Sequence, residues 1–355
     1  MREVYEQRRE AVRRRMKERN IDSLLILYPS NRYYLSGFEL FDPQCNESAG
    51  CLFLTLSGRD FLCTDSRYLE AARRVWEEED IFIYSGNRLE QLRDFIFKQG
   101  VRCVGFEEKV ITYEMYDSLS EEIPLVPCGG LVEELRCIKD EKEIELMALS
   151  CDINHEVLQS ISLEKMDGLT EREVAWRIEC LFREKGAEEM AFSPIVAWGK
   201  NSALPHYNPG LTTIGSRGPL LVDVGGRYCG YCSDQTRTLW IGEDVPSFFL
   251  DTLELVKRAQ QLAIERLKVG MEIRQLYFLV KDFFEENGVG DRFIHALGHG
   301  IGLDTHEAPA VGPRNNNIFR PNMVVTIEPG LYFPEWGGVR WEHMVVVTEE
   351  GARVL

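Results

Sequence analysis

Four acidic residues in the second half of the chain lie in or beside apolar, strand-like segments, where a buried strand normally carries apolar side chains. They form two pairs, Asp223 with Asp234 and Glu328 with Glu342, and a short loop separates the members of each pair. Loops of this length let the two acids face each other across an antiparallel hairpin. A buried carboxylate is stable only when it is paired or bound to a cation. Two acidic hairpins in one chain therefore predict a fold that gathers them around cations.

For any single one of these acids, the alternative is a solvent-facing position on the open side of a sheet. Taken alone, each acid is more simply explained in that way. However, four acids occur in two similar hairpins, so exposure of all four to solvent is the weaker interpretation.

The elements around the two hairpins follow the same order twice. Periodic apolar positions predict two helices before each hairpin, and Thr170 with Glu173 forms a predicted capping box at the start of one of them. The predicted helices span 140–161, 170–186, 247–267 and 273–287, and the predicted hairpin strands span 220–225, 233–241, 323–328 and 339–348. Two copies of helix–helix–hairpin indicate one pseudo-symmetric α+β domain with its hairpins in a shared sheet.

The first part of the chain alternates between helix and strand signals, which is typical of a small α/β domain. Tyr5, Val12 and Met16 share one face of a predicted helix, and Ser66 is the predicted N-cap of a later helix that ends at Trp76. A further helix is predicted over 89–97, and the predicted strands are 22–28, 51–55, 81–84 and 102–106. The periodicity then lapses, so we expect an N-terminal domain over residues 1–132 and a second domain over 133–355.

A surplus of acidic residues excludes one class of partner. The chain has 355 residues, with 58 Asp and Glu against 41 Lys and Arg, and a net charge of −17. Non-specific nucleic-acid binding needs a surplus of basic residues, so no nucleic-acid partner is expected. No apolar stretch is long enough to cross a bilayer, so no membrane partner is expected either.

Two features favour a cytoplasmic protein. The N-terminal arginines are interspersed with glutamates and no apolar segment follows them, which is unlike a signal or transit peptide. The 10 cysteines are scattered along the chain, a distribution more typical of reduced thiols than of a disulfide framework.

A segment rich in histidine and glycine lies between the two hairpins. It carries His295, His299 and His306, beside glycines that permit a close approach of the backbone. The segment lacks the Lys-Ser or Lys-Thr of a phosphate-binding loop. A lone histidine is more often structural than a ligand, but one histidine with two aspartates and two glutamates supplies enough donors for a two-metal site. An oxygen-rich site with a single imidazole and no thiolate suits Mn²⁺, Co²⁺ or Fe²⁺.

Four stretches of the second half are similar to the pita-bread metallopeptidases. They are residues 223–238, 298–303, 326–330 and 338–342. Within that group the chain resembles the proline-specific branch, the prolidases (Xaa-Pro dipeptidases) and the Xaa-Pro aminopeptidases. Residues 23–37 resemble the creatinase-type N-terminal domain that accompanies this branch and that methionine aminopeptidases usually lack. The resemblance implies a creatinase-like α/β domain over 1–132 and an α+β pita-bread catalytic domain over 133–355, with pseudo-twofold helix–helix–hairpin halves.

The resemblance also implies a ligand set for two divalent metal ions, most naturally Mn²⁺ or Co²⁺. The implied ligands are Asp223, Asp234, His299, Glu328 and Glu342. By the family pattern, Asp234 and Glu342 bridge the two ions, Asp223 completes one ion, and His299 with Glu328 completes the other. Glu328 is then also the group that accepts a proton from the nucleophile and passes it to the leaving amine.

Further residues are expected near the scissile bond. His206 and His306 match catalytic positions of the family, where they bind substrate or stabilise the transition state. Arg340 shares a strand face with Glu342 and can either hold that carboxylate or bind a substrate carboxylate. His295 either supports a ligand or is structural, and the sequence does not separate these alternatives.

The chain departs from the family pattern at two positions. The family usually continues Glu342 with an aspartate, whereas here His343 follows it. Some prolidases carry an arginine for the dipeptide carboxylate where this chain has Ala310, so a strict preference for dipeptides does not follow. We interpret the close pair Cys229 and Cys232 as incidental, because no second cysteine pair accompanies it.

The implied function is hydrolysis of the Xaa-Pro bond at the N-terminus of dipeptides or short peptides by a cytoplasmic enzyme, and the family implies a homodimer. One alternative is a non-catalytic relative of the same fold that binds peptides or proteins. Another is a creatinase-like hydrolase that works without metal. Both alternatives are disfavoured because all five implied ligands are present.

Overall fold

The computed structural model describes residues 2–44, 47–163 and 165–355, and the chain divides into two compact units, residues 1–136 and 137–355. The helices of the first unit are α1 (Arg2–Glu18), α2 (Pro29–Ser36), α3 (Leu69–Val75), α4 (Arg88–Lys98), α5 (Tyr113–Ser120) and α6 (Glu133–Arg136). Its strands are β1 (Ser23–Ile26), β2 (Cys51–Thr55), β3 (Phe61–Asp65), β4 (Ile81–Tyr84), β5 (Val104–Phe106) and β6 (Leu125–Pro127).

The six strands of the first unit form one mixed sheet in the order β4-β3-β2-β1-β5-β6. β1 pairs with β2 in the antiparallel sense and with β5 in the parallel sense. Leu25, Phe53 and Val104 of three adjacent strands pack in one buried cluster with Leu92 and Ile96 of α4. The predicted small α/β domain is confirmed.

The helix predicted to start at Ser66 begins differently. Asp65, the last residue of β3, accepts a hydrogen bond from the backbone N–H of Arg67 at 2.8 Å and caps a short 3₁₀ turn over Ser66–Tyr68. The α-helix itself starts only at Leu69. The predicted N-cap at Ser66 is therefore wrong, because the preceding aspartate caps the turn through the Arg67 N–H.

The second unit contains four long helices and thirteen short strands among its described residues. The helices are α7 (Glu141–Leu163), α8 (Glu171–Glu184), α9 (Ser247–Arg266) and α10 (Ile273–Glu286). The strands are β7 (Glu189–Met190), β8 (Ile195–Trp198), β9 (Gly218–Val224), β10 (Gly226–Tyr228), β11 (Tyr231–Cys232), β12 (Gln235–Ile241), β13 (Gly298–Gly300), β14 (Glu307–Val311), β15 (Val324–Ile327), β16 (Gly330–Phe333), β17 (Gly337–Arg340), β18 (His343–Thr348) and β19 (Gly351–Val354). The repeated order of two helices and a hairpin is as predicted.

Each helix pair packs against the hairpin that follows it. Phe182 of α8 and Val222 of β9 belong to one buried cluster, and Val280 of α10 and Val325 of β15 belong to another. The predicted capping box at the start of α8 is confirmed: Thr170 Oγ1 accepts from the Glu173 N–H at 3.2 Å, and the Thr170 N–H donates to Glu173 at 2.7 Å. No described helix is long and apolar enough to cross a membrane.

The sequence predicted that the two hairpins share one sheet. This prediction is wrong, because the hairpins belong to different sheets. β9 and β12 form a sheet with β8, whereas β15 and β18 belong to the sheet β14-β13-β15-β18-β19. The predicted strand over 339–348 is split into β17 and β18 at Trp341 and Glu342. The Glu342 N–H donates to the Thr236 carbonyl at 3.2 Å, so the hairpins meet through single hydrogen bonds where the acidic residues lie.

Candidate active site

One pocket of about 470 Å³ in the second unit is lined by every side chain that the sequence analysis placed in the site. These are Asp223, Asp234, His299, Glu328, Glu342, His206, His306 and Arg340. Segments that are far apart in the sequence thus converge on one cavity. Ala310 lines the same pocket.

The two glutamates lie opposite each other. Ile327 of β15 pairs with His343 of β18, and Gly330 of β16 pairs with Arg340 of β17, so the same register places Glu328 across from Glu342. This agrees with the hairpin geometry predicted for the second pair.

The two aspartates are offset rather than directly opposite. Asp223 of β9 pairs with Thr236 of β12, and Asp234 lies two positions before Thr236. The two acids therefore share one face of the hairpin on a diagonal. The expectation that they face each other directly is wrong, because the register pairs Asp223 with Thr236 and would set Asp234 opposite Gly225.

His299 directs a lone pair at the acidic cluster. Its Nδ1 lies 3.0 Å from the Gly300 carbonyl, which can only accept, so Nδ1 carries the proton and Nε2 is unprotonated. That Nε2 lies 3.6 Å from Asp234 Oδ2 and 3.5 Å from Glu328 Oε1. Ligand atoms of Asp234, His299 and Glu342 all lie within 4.8 Å of one another. A lone pair and carboxylate oxygens at these distances repel each other unless a cation or a carboxyl proton lies between them.

Burial sets the protonation of the acids in the metal-free chain. It raises the pKa of Glu328 to about 8, and together with the neighbouring carboxylates it raises the pKa of Asp234 and Glu342 well above their ordinary values. Burial also lowers the pKa of His299 to about 4. Asp223 Oδ1 and Glu342 Oε1 are buried without a hydrogen-bond partner among the described residues. Unpaired carboxylate oxygens beside an unprotonated imidazole fit a divalent cation site.

Arg340 holds the carboxylates in place. Its Nη2 donates to Asp223 Oδ2 at 2.6 Å, and its Nε donates to Thr236 Oγ1 at 3.0 Å. The same Thr236 hydroxyl donates to Glu342 Oε2 at 2.7 Å. Two roles were predicted for Arg340, and its contacts correspond to the first, which is to orient acidic side chains. Arg340 contacts Asp223 directly and reaches Glu342 only through the Thr236 hydroxyl.

His295 supports this arrangement from behind. Its Nδ1 donates to the Ala296 carbonyl at 2.7 Å, so its Nε2 accepts from the Tyr332 hydroxyl at 2.9 Å. That hydroxyl in turn accepts from Arg340 Nη1 at 2.9 Å. His295 therefore ends a hydrogen-bonded chain that leads through Tyr332 and Arg340 to Asp223, which favours a supporting role over a merely structural one.

His206 and His306 lie at the solvent-exposed part of the pocket. The ring of His306 is 4.2 Å from that of His299, measured between ring centroids. Burial and the neighbouring His206 lower the pKa of His306, so its ring is neutral near pH 7. Both rings can therefore contact a substrate that enters the pocket.

Thr236 and Tyr332 also belong to the site, although the sequence did not predict them there. Thr236 lies in the segment that resembles the pita-bread family, and strand alternation places it on the same face as Asp234. Tyr332 follows Glu328 in the second hairpin, with a buried hydroxyl that needs a partner. Both positions carried a usable signal, namely a polar group on the face of an acidic residue.

Comparison with known proteins decides the family. Residues 145–349 match metallopeptidase family M24, and residues 8–138 match the creatinase/prolidase N-terminal domain. The chain belongs to metallopeptidase family M24. The predicted resemblance to the pita-bread metallopeptidases and their proline-specific branch is confirmed, and so are the fold and the enzyme class, a metallo-exopeptidase.

Several relatives of this M24 chain span nearly its whole length. An Xaa-Pro dipeptidase of Pyrococcus furiosus is 33% identical over 345 residues, which are 96% of this chain and 94% of that protein. The solved structure of an Xaa-Pro dipeptidase from Bacillus anthracis matches with a TM-score of 0.91 at 33% identity, covering 99% of this chain and 97% of that one. The structure of an X-Pro aminopeptidase from Thermotoga maritima matches with a TM-score of 0.88 at 30% identity, covering 98% and 96%.

The cysteine pair of the M24 domain lies outside the pocket lining. Cys229 is exposed at the turn between β10 and β11, and Cys232 is buried, with its thiol 3.7 Å from the Leu303 carbonyl. We expect the double variant Cys229→Ser/Cys232→Ser to keep its metal content and turnover largely unchanged, because neither sulfur reaches the acidic cluster. Elemental analysis and steady-state kinetics check this, and a large loss of bound metal would show that the pair serves the site.

Proposed function

We propose that this M24 enzyme hydrolyses the Xaa-Pro bond at the N-terminus of dipeptides and short peptides. The observation that carries the proposal is the convergence of four carboxylates and one unprotonated imidazole in a pocket that also presents two histidines to solvent. Relatives that span almost the whole chain are named Xaa-Pro dipeptidase and X-Pro aminopeptidase, which supports the substrate class.

The proposed cofactor is a pair of divalent ions, most naturally Mn²⁺ or Co²⁺. Its proposed ligands are Asp223, Asp234, His299, Glu328 and Glu342. When bound, such ions polarise the substrate carbonyl and lower the pKa of an attacking water. The presence of all five ligands is also what disfavours a non-catalytic binding protein and a metal-free hydrolase.

Glu328 is the proposed proton carrier. Its carboxylate faces the pocket beside His299, and its side chain is less deeply buried than that of Glu342. It takes a proton from the attacking water while the water oxygen bonds to the carbonyl carbon. It then delivers that proton to the proline nitrogen as the C–N bond breaks. His206 and His306 bind the substrate carbonyl as negative charge develops on its oxygen.

The length of the substrate depends on the cations of the pocket. Arg340 is the only Arg or Lys among the described lining residues, and it already donates to Asp223, Thr236 and Tyr332. Ala310 is exposed and offers no charge. The described lining therefore offers no Arg or Lys that is free of other hydrogen bonds to bind a proline carboxylate, so we propose that peptides longer than a dipeptide also enter.

The test compares kcat/KM for Ala-Pro, Ala-Pro-Ala and Ala-Ala with the metal-loaded enzyme. We expect hydrolysis of both proline peptides and little action on Ala-Ala. Cleavage of Ala-Pro alone would restore a strict dipeptidase, and equal cleavage of Ala-Ala would contradict proline specificity.

Two variants of Ala310 sharpen this comparison. Ala310→Arg places a cation in the pocket and should raise the preference for Ala-Pro over Ala-Pro-Ala. Ala310→Gln adds a long side chain without the charge and serves as the matched control. An equal shift in both variants would mean that side-chain size rather than charge controls substrate length.

The cytoplasmic location and the homodimer stay predictions. The described cysteines, Cys45 lying outside the described residues, are all free thiols, which suits a reducing compartment. The homodimer rests on the family resemblance.

A further inference from the structure

The ladder of the second hairpin has a gap beside the two glutamates. The Trp341 N–H donates to the Pro329 carbonyl at 3.3 Å, so these residues form a pair of the ladder. Proline has no N–H group and cannot return a hydrogen bond to the Trp341 carbonyl. That carbonyl, on a half-buried residue, therefore needs another donor.

Gln260 of α9 supplies the missing donor. It is only 4% exposed, and its Nε2 donates to the Trp341 carbonyl at 3.1 Å and to the Ile327 carbonyl at 2.8 Å. Trp341 directly precedes Glu342, and Ile327 directly precedes Glu328. One side-chain amide therefore joins the two strands at the position where each presents a proposed ligand.

His343 and Arg237 fix the orientation of that amide. A guanidinium only donates, so His343 Nε2 accepts from Arg237 Nη2 at 2.7 Å. His343 Nδ1 then carries the proton and donates to Gln260 Oε1 at 3.1 Å. With its oxygen occupied in this way, Gln260 must direct its NH₂ group at the two carbonyls. Arg237 closes the chain by donating from Nη1 to the Glu342 carbonyl at 2.6 Å.

We propose that Gln260 is a positioning residue that sets the separation of Glu328 and Glu342 for the metal ions, with His343 and Arg237 holding it in the required orientation. Gln260, His343 and Arg237 are absent from the described lining of the substrate pocket, so the three residues act through the ligands and not on the substrate. The inference rests on the metal site of the proposed function. The family usually has an aspartate at the position of His343. Here the neutral imidazole of His343 links the guanidinium of Arg237 to the side-chain amide of Gln260.

The first experiment measures Mn²⁺ binding to metal-free protein by calorimetry. Gln260→Leu keeps the volume but removes both donors, and we expect Mn²⁺ affinity to fall by about 10–100-fold, the usual effect of removing a group that orients a metal ligand. The matched control is Gln261→Leu, because Gln261 is adjacent on α9 but exposed and bonded only to Glu265 at 2.8 Å among the described residues. Equal affinity of the two variants would overturn the proposal.

A second pair of variants tests orientation separately from packing. His343→Asn keeps one acceptor and one donor, whereas His343→Leu has neither. We expect His343→Leu to weaken Mn²⁺ binding and His343→Asn to keep most of the wild-type affinity. Equally weak binding by both variants would overturn the role of His343. This pair also keeps the proposal testable if Gln260→Leu does not fold, which circular dichroism would reveal.

The measurement of metal binding separates a failure of the positioning role from a failure of the proposed function. The calorimetry uses no peptide, so its result stands even if the wild-type enzyme does not cleave Ala-Pro. Wild-type protein that binds no Mn²⁺ would contradict the proposed metal site itself. Normal metal binding in Gln260→Leu would contradict only the positioning role.

Discussion

Replacing Glu328 with glutamine is expected to lower kcat on an Xaa-Pro substrate by about 10²–10⁴-fold, the range in which a positioned proton carrier contributes to catalysis. The amide keeps the shape of the side chain but neither binds a proton at neutral pH nor brings a negative charge to the metals. Steady-state kinetics at saturating Mn²⁺ measures the loss, and elemental analysis reports whether metal is still bound.

The fold is expected to survive this change. Glu328 is a half-buried acid whose pKa is raised to about 8 by its removal from water, so the metal-free chain already holds it mainly in its neutral form near pH 7. Glu335→Gln is the matched control, because Glu335 is exposed in the loop between β16 and β17. If Glu328→Gln turned over at the rate of this control, the role given to Glu328 would be wrong.

The elements of the fold were predictable where one local signal dominated. The capping box of Thr170 and Glu173 marks the start of α8, and the apolar runs that flank the acids mark β9 and β15. The helix after β3 was misplaced because Asp65 and Ser66 are both good N-cap residues, and which one caps depends on where the strand ends.

The residues that converge in the pocket were predictable from the sequence, but the hydrogen bonds that hold them in place were not. The acids are conspicuous because carboxylates are rare in buried strands. His299 is conspicuous because it lies in a segment rich in histidine and glycine. Their contacts depend on register, and the offset of Asp223 from Asp234 follows from the pairing of Asp223 with Thr236 in the ladder of β9 and β12. Loop length alone does not determine that register.

Gln260 was recognisable in the sequence as a polar residue within the apolar face of a predicted helix, although no role was predicted for it. It lies on α9 among Val256, Ala259 and Ala263, which are all buried. A polar residue in the apolar stripe of a helix needs a buried partner, so its position predicts a hydrogen bond into the core. The identity of that partner, two carbonyls of a distant hairpin, emerges only from the tertiary structure.

Removal of the divalent ions by a chelator is expected to abolish hydrolysis, and Mn²⁺ or Co²⁺ should restore it most fully. It should also lower the Tm of the protein, because ions that bind only the folded chain add to its free energy of unfolding. A site filled at about 1,000 times its dissociation constant contributes about 4 kcal/mol. Activity, elemental analysis and calorimetric melting of the same preparations check both effects.

The metal-free chain should also respond to pH in a way that the loaded enzyme does not. Burial raises the pKa of Glu328 from its ordinary 4.5 to about 8, and the pKa values of Asp234 and Glu342 are raised as well. Because these pKa values are higher in the folded state than in the unfolded state, these acids bind more protons in the folded chain and lower its stability as the pH rises. Burial lowers the pKa of His295 and His299 to about 4, which acts in the opposite sense below the ordinary histidine pKa of 6.5. We therefore expect the net fall in stability between about 6.5 and 8. Divalent ions replace those protons and remove the dependence. The same loss of Tm with pH in both forms, or full activity in a preparation shown to be free of metal, would contradict a site in which cations, rather than protons, balance the four carboxylates.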